Sequence, residues 1–520
     1  MPREGGAARF RSILFDRDHR GGDLRETEPD FFGDLNLDQV LTAFAVGREE
    51  YELRPFFYTP LQSAGTVSYR HDVIADLEKS DVLAAVARFA EAMRRMREHL
   101  AHAKKLRYAQ YELPRQAWFM ESIEIYCEAV TSLSVELEGS SATSDGLRGL
   151  SDYLRQYVAS ESFTALVEGA AALTEVLNGI RYRIRIEGLR VTVSRYEDDA
   201  DYSVEVMETF ERFRQGGVKS YLVRLPQQLD VNDTEVKILE LVARLHPEPF
   251  SERAEYCAQH RDFADETITR FDREVQFYIG YLELIGRLRA AGLPFCYPQV
   301  SACSKEIQAT DTFDLALADK LVPENRDVVC NDFYLNEPER MLVVSGPNNG
   351  GKTTFARMFG QLHYLASLGL PVPGRSVALV LPDQIFAHFE REEEIETLRG
   401  KFEDELVRVH EILERATSSS VIVMNESFNS TTLNDALFVG TEVMLQLLDR
   451  GCIGVYVTFV DEIAFLSEAT VSMVSEVAPE NPAQRTFRVL RRPADGLAYA
   501  SAIAEKYGLT YERLMERIGA

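Results

Sequence analysis

Gly346-Pro-Asn-Asn-Gly-Gly-Lys352-Thr353-Thr354 fits the phosphate-binding pattern Gly-x-x-x-x-Gly-Lys-[Ser/Thr]. Its flanks suit that chemistry. Met-Leu-Val-Val at 341–344 is expected to be a buried strand, and residues 354–359 open a helix. Strand, glycine loop and helix together point backbone N–H groups and a helix N-terminus at an anion. Gly346 and Gly351 permit the tight turn. Pro347, Asn348, Asn349 and Gly350 complete the cradle, and Thr354 leads out of it. Lys352 can reach the outer phosphates, and the Thr353 hydroxyl can ligate Mg²⁺. The ligand these residues imply is ATP with Mg²⁺.

Downstream the pattern is α/β. Apolar runs at 421–426, 454–458 and 470–474 read as buried strands, with helices at 395–416 and 435–449 between them. The run Val421-Ile-Val-Met-Asn-Glu426 ends on two polar residues, and a glycine loop plus a polar strand end is the two-part plan of a P-loop ATPase. Glu426 is placed to orient water, which with Lys352 makes the catalytic pair. Asn425 stands where a magnesium-binding Asp is usual. An amide can accept a hydrogen bond from metal-bound water but carries no charge, so metal binding and turnover should both be weak.

Upstream of residue 301 the pattern is helical. After Ser80, apolar residues at 82, 86, 89, 93, 96 and 100 recur at spacings of four and three, which buries one stripe of a helix. Residues 265–291 read as a second long helix, ended by Gly292-Leu-Pro294. The expected organisation is an N-terminal extension (1–35), a helical region (36–300) and an α/β ATPase domain (301–520). A chain of 520 residues is too long for one core. A formal net charge of −26 argues against broad coating of nucleic acid, while leaving room for a local basic patch. The opening residues lack an apolar signal core, and no uncharged apolar run reaches spanning length, so a cytoplasmic protein without membrane contact is expected. Six scattered cysteines without Cys-x-x-Cys spacing are expected to be reduced.

One stretch interrupts the helices. Ile180-Arg-Tyr-Arg-Ile-Arg-Ile186 alternates, Gly188 allows a turn, and Leu189-Arg-Val-Thr-Val-Ser-Arg195 alternates again. This is a β-hairpin, opening an insertion near 180–225. Arg181, Arg183 and Arg185 share a strand face. They either contact DNA phosphates or form a solvated face paired with Glu187 and the acidic residues of 197–201.

The C-terminal part resembles the MutS-type mismatch-repair ATPases, a branch of the ABC class. Gly-Pro-Asn-x-x-Gly-Lys-[Ser/Thr]-Thr is their form of the phosphate loop. Asn331 lies before the loop at the family's spacing. Leu368-Gly-Leu-Pro-Val-Pro373 is similar to its Ile-Gly-x-x-Val-Pro. Asp383, Ile385 and Phe386 match Asp-x-Ile-Phe. Phe402, Glu405 and Leu406 match its signature region. Asn425-Glu-Ser-Phe-Asn-Ser-Thr431 stands where the family has Asp-Glu-x-x-x-Gly-Thr, and Ala504-Glu-Lys-Tyr-Gly508 is similar to its closing Ala-x-x-x-Gly. The resemblance covers 331–520 specifically and the helical part loosely. It implies a helical core and lever followed by an ABC-class ATPase domain, with the arginine hairpin where a clamp insertion can sit.

The departures are part of the reading. The family's N-terminal mismatch-recognition domain and one sub-branch's C-terminal nuclease domain have no counterpart here. Phe89-Ala-Glu91 spells the mismatch probe but falls mid-helix. Gly400 and Lys401 replace the signature Ser-Thr, Phe459 replaces the histidine of Ala-Thr-His, and Val328 stands where an aromatic stacks on adenine. The resemblance implies a homodimer whose nucleotide sites are completed in trans by the segment at 399–401. Two functions stay open. One is a MutS-related protein, acting in DNA repair, that couples ATP binding and slow hydrolysis to DNA binding. The other is a nucleotide-dependent dimerising switch without DNA contact, which the acidic charge favours.

Overall fold

The computed structural model describes residues 10–16, 24–106, 108–188, 190–197, 233–390, 400–478 and 481–494. The chain divides into two compact units. One comprises residues 1–79, 142–148 and 270–520; the other comprises 80–141 and 149–269. Among the described residues no helix is long and apolar enough to cross a membrane.

The first unit is built on a six-stranded sheet. Its strands are β7 (Met341–Ser345), β10 (Ile385–Phe389), β11 (Val421–Asn425), β12 (Ile453–Val457), β13 (Thr470–Ala478) and β14 (Asn481–Arg491). Their order is β10-β11-β12-β7-β13-β14. All neighbours are parallel except the last pair, β13 and β14, which is antiparallel. Every residue of β7, β11 and β12 is buried, as continuous Val/Ile/Met runs require in a sheet covered on both faces. The expected strands at 341–344, 421–426, 454–458 and 470–474 thus form, with ends shifted by a residue or more. Glu426 falls just outside its strand. The helix expected over 395–416 is observed at Lys401–Arg415, residues 391–399 lying outside the described residues, and the one expected over 435–449 spans Leu433–Arg450. These helices cover one face with a core that includes Met341, Ile422, Met424, Phe428, Met444 and Tyr456.

The short strands β3 (Phe295–Cys296) and β8 (Val372–Pro373) pair with each other, and a second, four-stranded sheet belongs to the same unit. It orders β4 (Gln299–Ser301), β9 (Ser376–Val380), β5 (Ile307–Thr312) and β6 (Asn331–Leu335). The helix Lys352–Ser367 after the glycine loop is almost wholly buried. Gln361 fixes it: its Nε2 donates to Leu35 O and Asp314 Oδ1, both at 2.8 Å, and its Oε1 accepts from Leu315 N at 2.8 Å. Leu35, before residue 36, is therefore tied into this core. Buried Ser12 and Ile13 donate to Glu274 at 2.8 and 2.9 Å, and fully buried Arg70 donates to Leu14 O and to Leu368 O.

The second unit is helical. Helices Ser80–Lys105 and Glu112–Glu138 pair along their lengths; Val82, Val86, Phe89, Met93 and Met96 are buried, as the stripe predicts. Helices over Glu161–Asn178 and Pro247–Gln259 pack with them, Tyr256 donating to Leu166 O at 2.6 Å. The hairpin pairs β1 (Tyr182–Glu187) with β2 (Arg190–Arg195) in antiparallel register, with Arg185 opposite Thr192. The helix expected from 265 spans Glu266–Ala290 and belongs to the first unit from residue 270 on; Asp265 Oδ1 accepts from Thr267 N and Ile268 N as its cap. All six cysteines are free thiols; Cys127 and Cys452 are buried and Cys303 is exposed.

Candidate nucleotide site

The loop after β7 turns on three left-handed residues, Gly346 (φ 114°), Asn349 (φ 58°) and Gly351 (φ 94°). Asn is among the few side chains that accept this region, and glycine meets no penalty there. A Cβ on Gly346 would lie 3.1 Å from the backbone of Ser475 on the neighbouring β13. Gly350 is required by proximity instead, since a Cβ there would collide with Ser475 Oγ, which donates to Gly350 O at 2.6 Å. Gly351 caps the helix Lys352–Ser367, leaving the first-turn N–H groups of Lys352, Thr353 and Thr354 without intrahelical acceptors.

Lys352 is buried at 3% exposure, and its ammonium is held from several sides. Nζ donates to Gly346 O at 3.0 Å and Pro347 O at 3.1 Å. It lies 4.4 Å from the centre of the Phe459 ring and 4.0 Å from Glu426 Oε1. Burial lowers its pKa, and the Glu426 charge opposes that fall. For Glu426 burial raises the pKa, with the Lys352 charge opposing. Two non-glycine residues at the end of β11 adopt left-handed backbone, Glu426 (φ 53°) and Phe428 (φ 67°). This costs of order 1–3 kcal/mol each and persists only where packing enforces it. Phe428 is fully buried in the core, and Glu426 N is tied to Val457 O at 2.9 Å. The turn so fixed brings the Glu426 carboxylate to Lys352.

An open cleft of about 740 Å³ runs along this loop. Asn348, Asn349, Gly350, Gly351, Lys352, Thr353, Thr354 and Glu426 line one part of it. Leu317, Leu321, Val328 and Phe487 line the rest with the polar side chains of Asn331, Lys320 and Arg326. Gly346 and Pro347 hold Lys352 from behind. Asn425 stands one residue back in β11, buried, its Oδ1 bonded by none of the described groups. An orphaned buried carbonyl costs free energy unless something polar reaches it, so this oxygen fits a metal-bound water. No group of three His, Cys, Asp or Glu able to hold a metal gathers among the described residues. A magnesium ion fits here only in the way Mg²⁺ usually binds with nucleotides, through one hydroxyl such as Thr353, waters and substrate phosphates.

Three contributors were hidden in the sequence, and Asn331, already singled out by its spacing before the loop, joins them. Ser475 supports the loop floor. Arg485 donates Nε to Asn348 O at 3.1 Å, and Phe487 lines the cleft beside Gly351. Asn331 ties β6 to β14, donating Nδ2 to Phe487 O at 3.3 Å and accepting from Val489 N at 2.7 Å. The first three lie more than 100 residues from the loop on β13 and β14 and carry no motif of their own.

The signature residues sit apart from the cleft lining. Phe402 and Leu406 pack on the core, and buried Glu405 accepts from Ser430 Oγ at 3.1 Å. Lys401 pairs with Glu390, and position 399 lies outside the described residues. Ala504–Gly508 also lies outside them. Arg181 and Arg185 are exposed, Arg185 pairing with Glu187 at 2.8 Å, and Arg183 is half-buried with contacts of its own. Of the acidic run, 198–201 lies outside the described residues.

A parallel-sheet domain with its glycine loop after the central strand, and a carboxylate brought to the loop lysine from two strands away, is the class this geometry defines. Residues 342–512 match the family model for MutS domain V. The DNA mismatch repair protein MutS of Thermotoga neapolitana is 27% identical over 190 residues, which cover 36% of this chain and 24% of that protein. The endonuclease MutS2 of Thermus thermophilus is 31% identical over 189 residues, 36% of this chain and 25% of that protein. That of Gemmatimonas aurantiaca is 29% identical over 182 residues, 34% and 22%. The chain thus spans about a quarter of the length of the curated relatives it matches. What the chain shares with the MutS proteins is its C-terminal α/β part, which is where the relatives align.

Proposed function

We propose that this is a MutS-related ATP-binding protein that couples ATP binding and slow hydrolysis to DNA binding, with a role in DNA repair. The convergence of the glycine loop, buried Lys352 and Glu426 carries the reading. The loop N–H groups and the helix N-terminus hold the phosphates. Lys352 exchanges its bonds to Gly346 O and Pro347 O for phosphate oxygens, compensating their charge. Glu426 then orients the attacking water and accepts its proton; burial, which disfavours its charged form, makes it a better base than an exposed carboxylate. Magnesium, when bound, would supply charge neutralisation at the phosphates, held by Thr353 and, through water, Asn425. An amide in place of a carboxylate weakens that hold, hence slow turnover.

The homodimer completed in trans belongs to the same proposal. Segment 399–401 of one copy faces the nucleotide of the other, with Lys401 as the cation it offers. A switch that dimerises on nucleotide without touching DNA is the second reading, favoured by the net charge of −26. One experiment separates them: sedimentation and DNA-binding titrations on duplex, mismatched and branched DNA, with and without Mg·ATP. ATP-dependent dimers that bind DNA support the first reading, and ATP-dependent dimers that bind no DNA at low salt support the second. A monomer under both conditions contradicts completion in trans.

A further inference from the structure

A long run of positive charge lies at one end of the paired helices, away from any motif. Between residues 94 and 115 there are seven Lys or Arg and two Asp or Glu, within a chain of net charge −26. Helices Ser80–Lys105 and Glu112–Glu138 run antiparallel. Arg88 meets Glu136 at 3.0 Å, His99 Nδ1 lies 3.1 Å from Glu121, and the His102 ring stacks on Trp118 at 5.1 Å and 20°. Their joined end is therefore the 94–115 segment.

Several of its cations are already engaged. Arg94 bonds Glu91 and Glu98, Arg115 bonds Glu112, and Arg97 has contacts of its own. Position 107 lies outside the described residues. Arg95, Lys104 and Lys105 are exposed and, among the described residues, form no ion pair. Arg95, His102 and Lys105 are spaced seven and three apart, so they share one helix stripe beside the His102–Trp118 stack. Tyr108 follows at 74% exposure, the most exposed large hydrophobic side chain among the described residues. Unpaired cations flanking an exposed aromatic ring suit a strand of nucleic acid, phosphates taking the cations and a base face taking the ring. A chain this acidic is repelled by DNA almost everywhere, so contact concentrates where the local sign reverses.

We propose that this arm end is a nucleic-acid contact in which Arg95, Lys104 and Lys105 bind phosphates and Tyr108 stacks on an unpaired base. It rests on the DNA-binding reading for the identity of the polyanion. The test is fluorescence polarisation of the full chain with a labelled oligonucleotide, single-stranded and as a duplex, over a range of salt. The Arg95→Ala/Lys104→Ala/Lys105→Ala variant should lower the slope of log K against log salt by about two to three and weaken binding at least roughly tenfold. Lys104→Arg/Lys105→Arg should keep parental binding. Tyr108→Ala should weaken the single-stranded probe by about 5- to 100-fold, from about 1–3 kcal/mol per stacked base, and spare the duplex. The triple variant, its helical circular dichroism intact, overturns the arm contact if it keeps parental affinity and salt slope; loss of binding in Arg181→Ala/Arg183→Ala/Arg185→Ala would then show that the DNA reading survives elsewhere. A parent that binds neither probe at low salt overturns both.

Discussion

Lys352 at the glycine loop and Arg95, Lys104 and Lys105 on the helical arm are all cations without a full-strength salt bridge, yet their settings are opposite. Lys352 is 3% exposed and ringed by two carbonyls, a carboxylate and an aromatic face. The arm cations stand in water with no ion pair among the described residues. A buried ammonium acts at short range on whatever fits its pocket, little affected by salt; an exposed cluster attracts any polyanion and is screened within about 8 Å at physiological ionic strength. The first arrangement selects a ligand, and the second gathers one.

The largest effect expected from the buried arrangement is catalytic. Glu426→Gln should lower ATP turnover by about 10² or more, while ATP stays bound. Asn425→Asp should keep or raise the rate by restoring charge at the metal position. Steady-state hydrolysis with parallel binding titrations reads both, and wild-type turnover in Glu426→Gln removes that carboxylate from the mechanism.

Packing comes next. Gly350→Ala places a methyl against Ser475 Oγ and should weaken ATP binding roughly tenfold, since overpacking costs about 1–3 kcal/mol. Ser475→Gly in the same chain should recover much of it. An additive double-mutant cycle would show that the loop does not rest on β13.

The exposed hairpin should respond less. Arg185 is already paired with Glu187 and Arg183 has contacts of its own, so Arg181→Ala/Arg183→Ala/Arg185→Ala should reduce the salt slope of DNA binding by about one rather than three. A lower melting temperature with unchanged DNA affinity would make these arginines structural.

A separate effect isolates burial from ligand binding. Burial raises the Glu274 pKa to about 7, although Ser12 and Ile13 both donate to it. The folded chain therefore holds this proton above the ordinary carboxylate range, and stability should fall as pH rises from about 4.5 to about 7. Thermal melts of the parent should show that slope, and Glu274→Gln should flatten it. An equal slope in both would assign it to other groups.

The buried region was the more legible of the two, for physical reasons. Its glycines, its continuous apolar strands and the polar end of β11 are local needs of local backbone, so they show as local patterns. The left-handed turn at Glu426 and Phe428 was not legible, because tertiary packing imposes it on residues that do not favour it. Nor were Ser475, Arg485 and Phe487, which reach the loop only through the pairing of β13 with β7 and β14. The three-residue strand β4 is too short for a period-two signal, and Ser12 to Leu14 hold no motif though they are buried against Glu274 and Arg70. On the arm, helix periodicity showed the buried stripe, but which arginines are already paired depends on contacts within the fold.

Calorimetric titration of Mg·ATP into the parent chain and into Lys352→Ala tests the central claim most directly. Lys352 is the one cation within the loop sequence, and a hydrogen bond to a charged group is worth about 1.5–3 kcal/mol. The account predicts saturable binding to the parent, weakened roughly 10- to 100-fold in the variant. An unchanged dissociation constant in Lys352→Ala would contradict it.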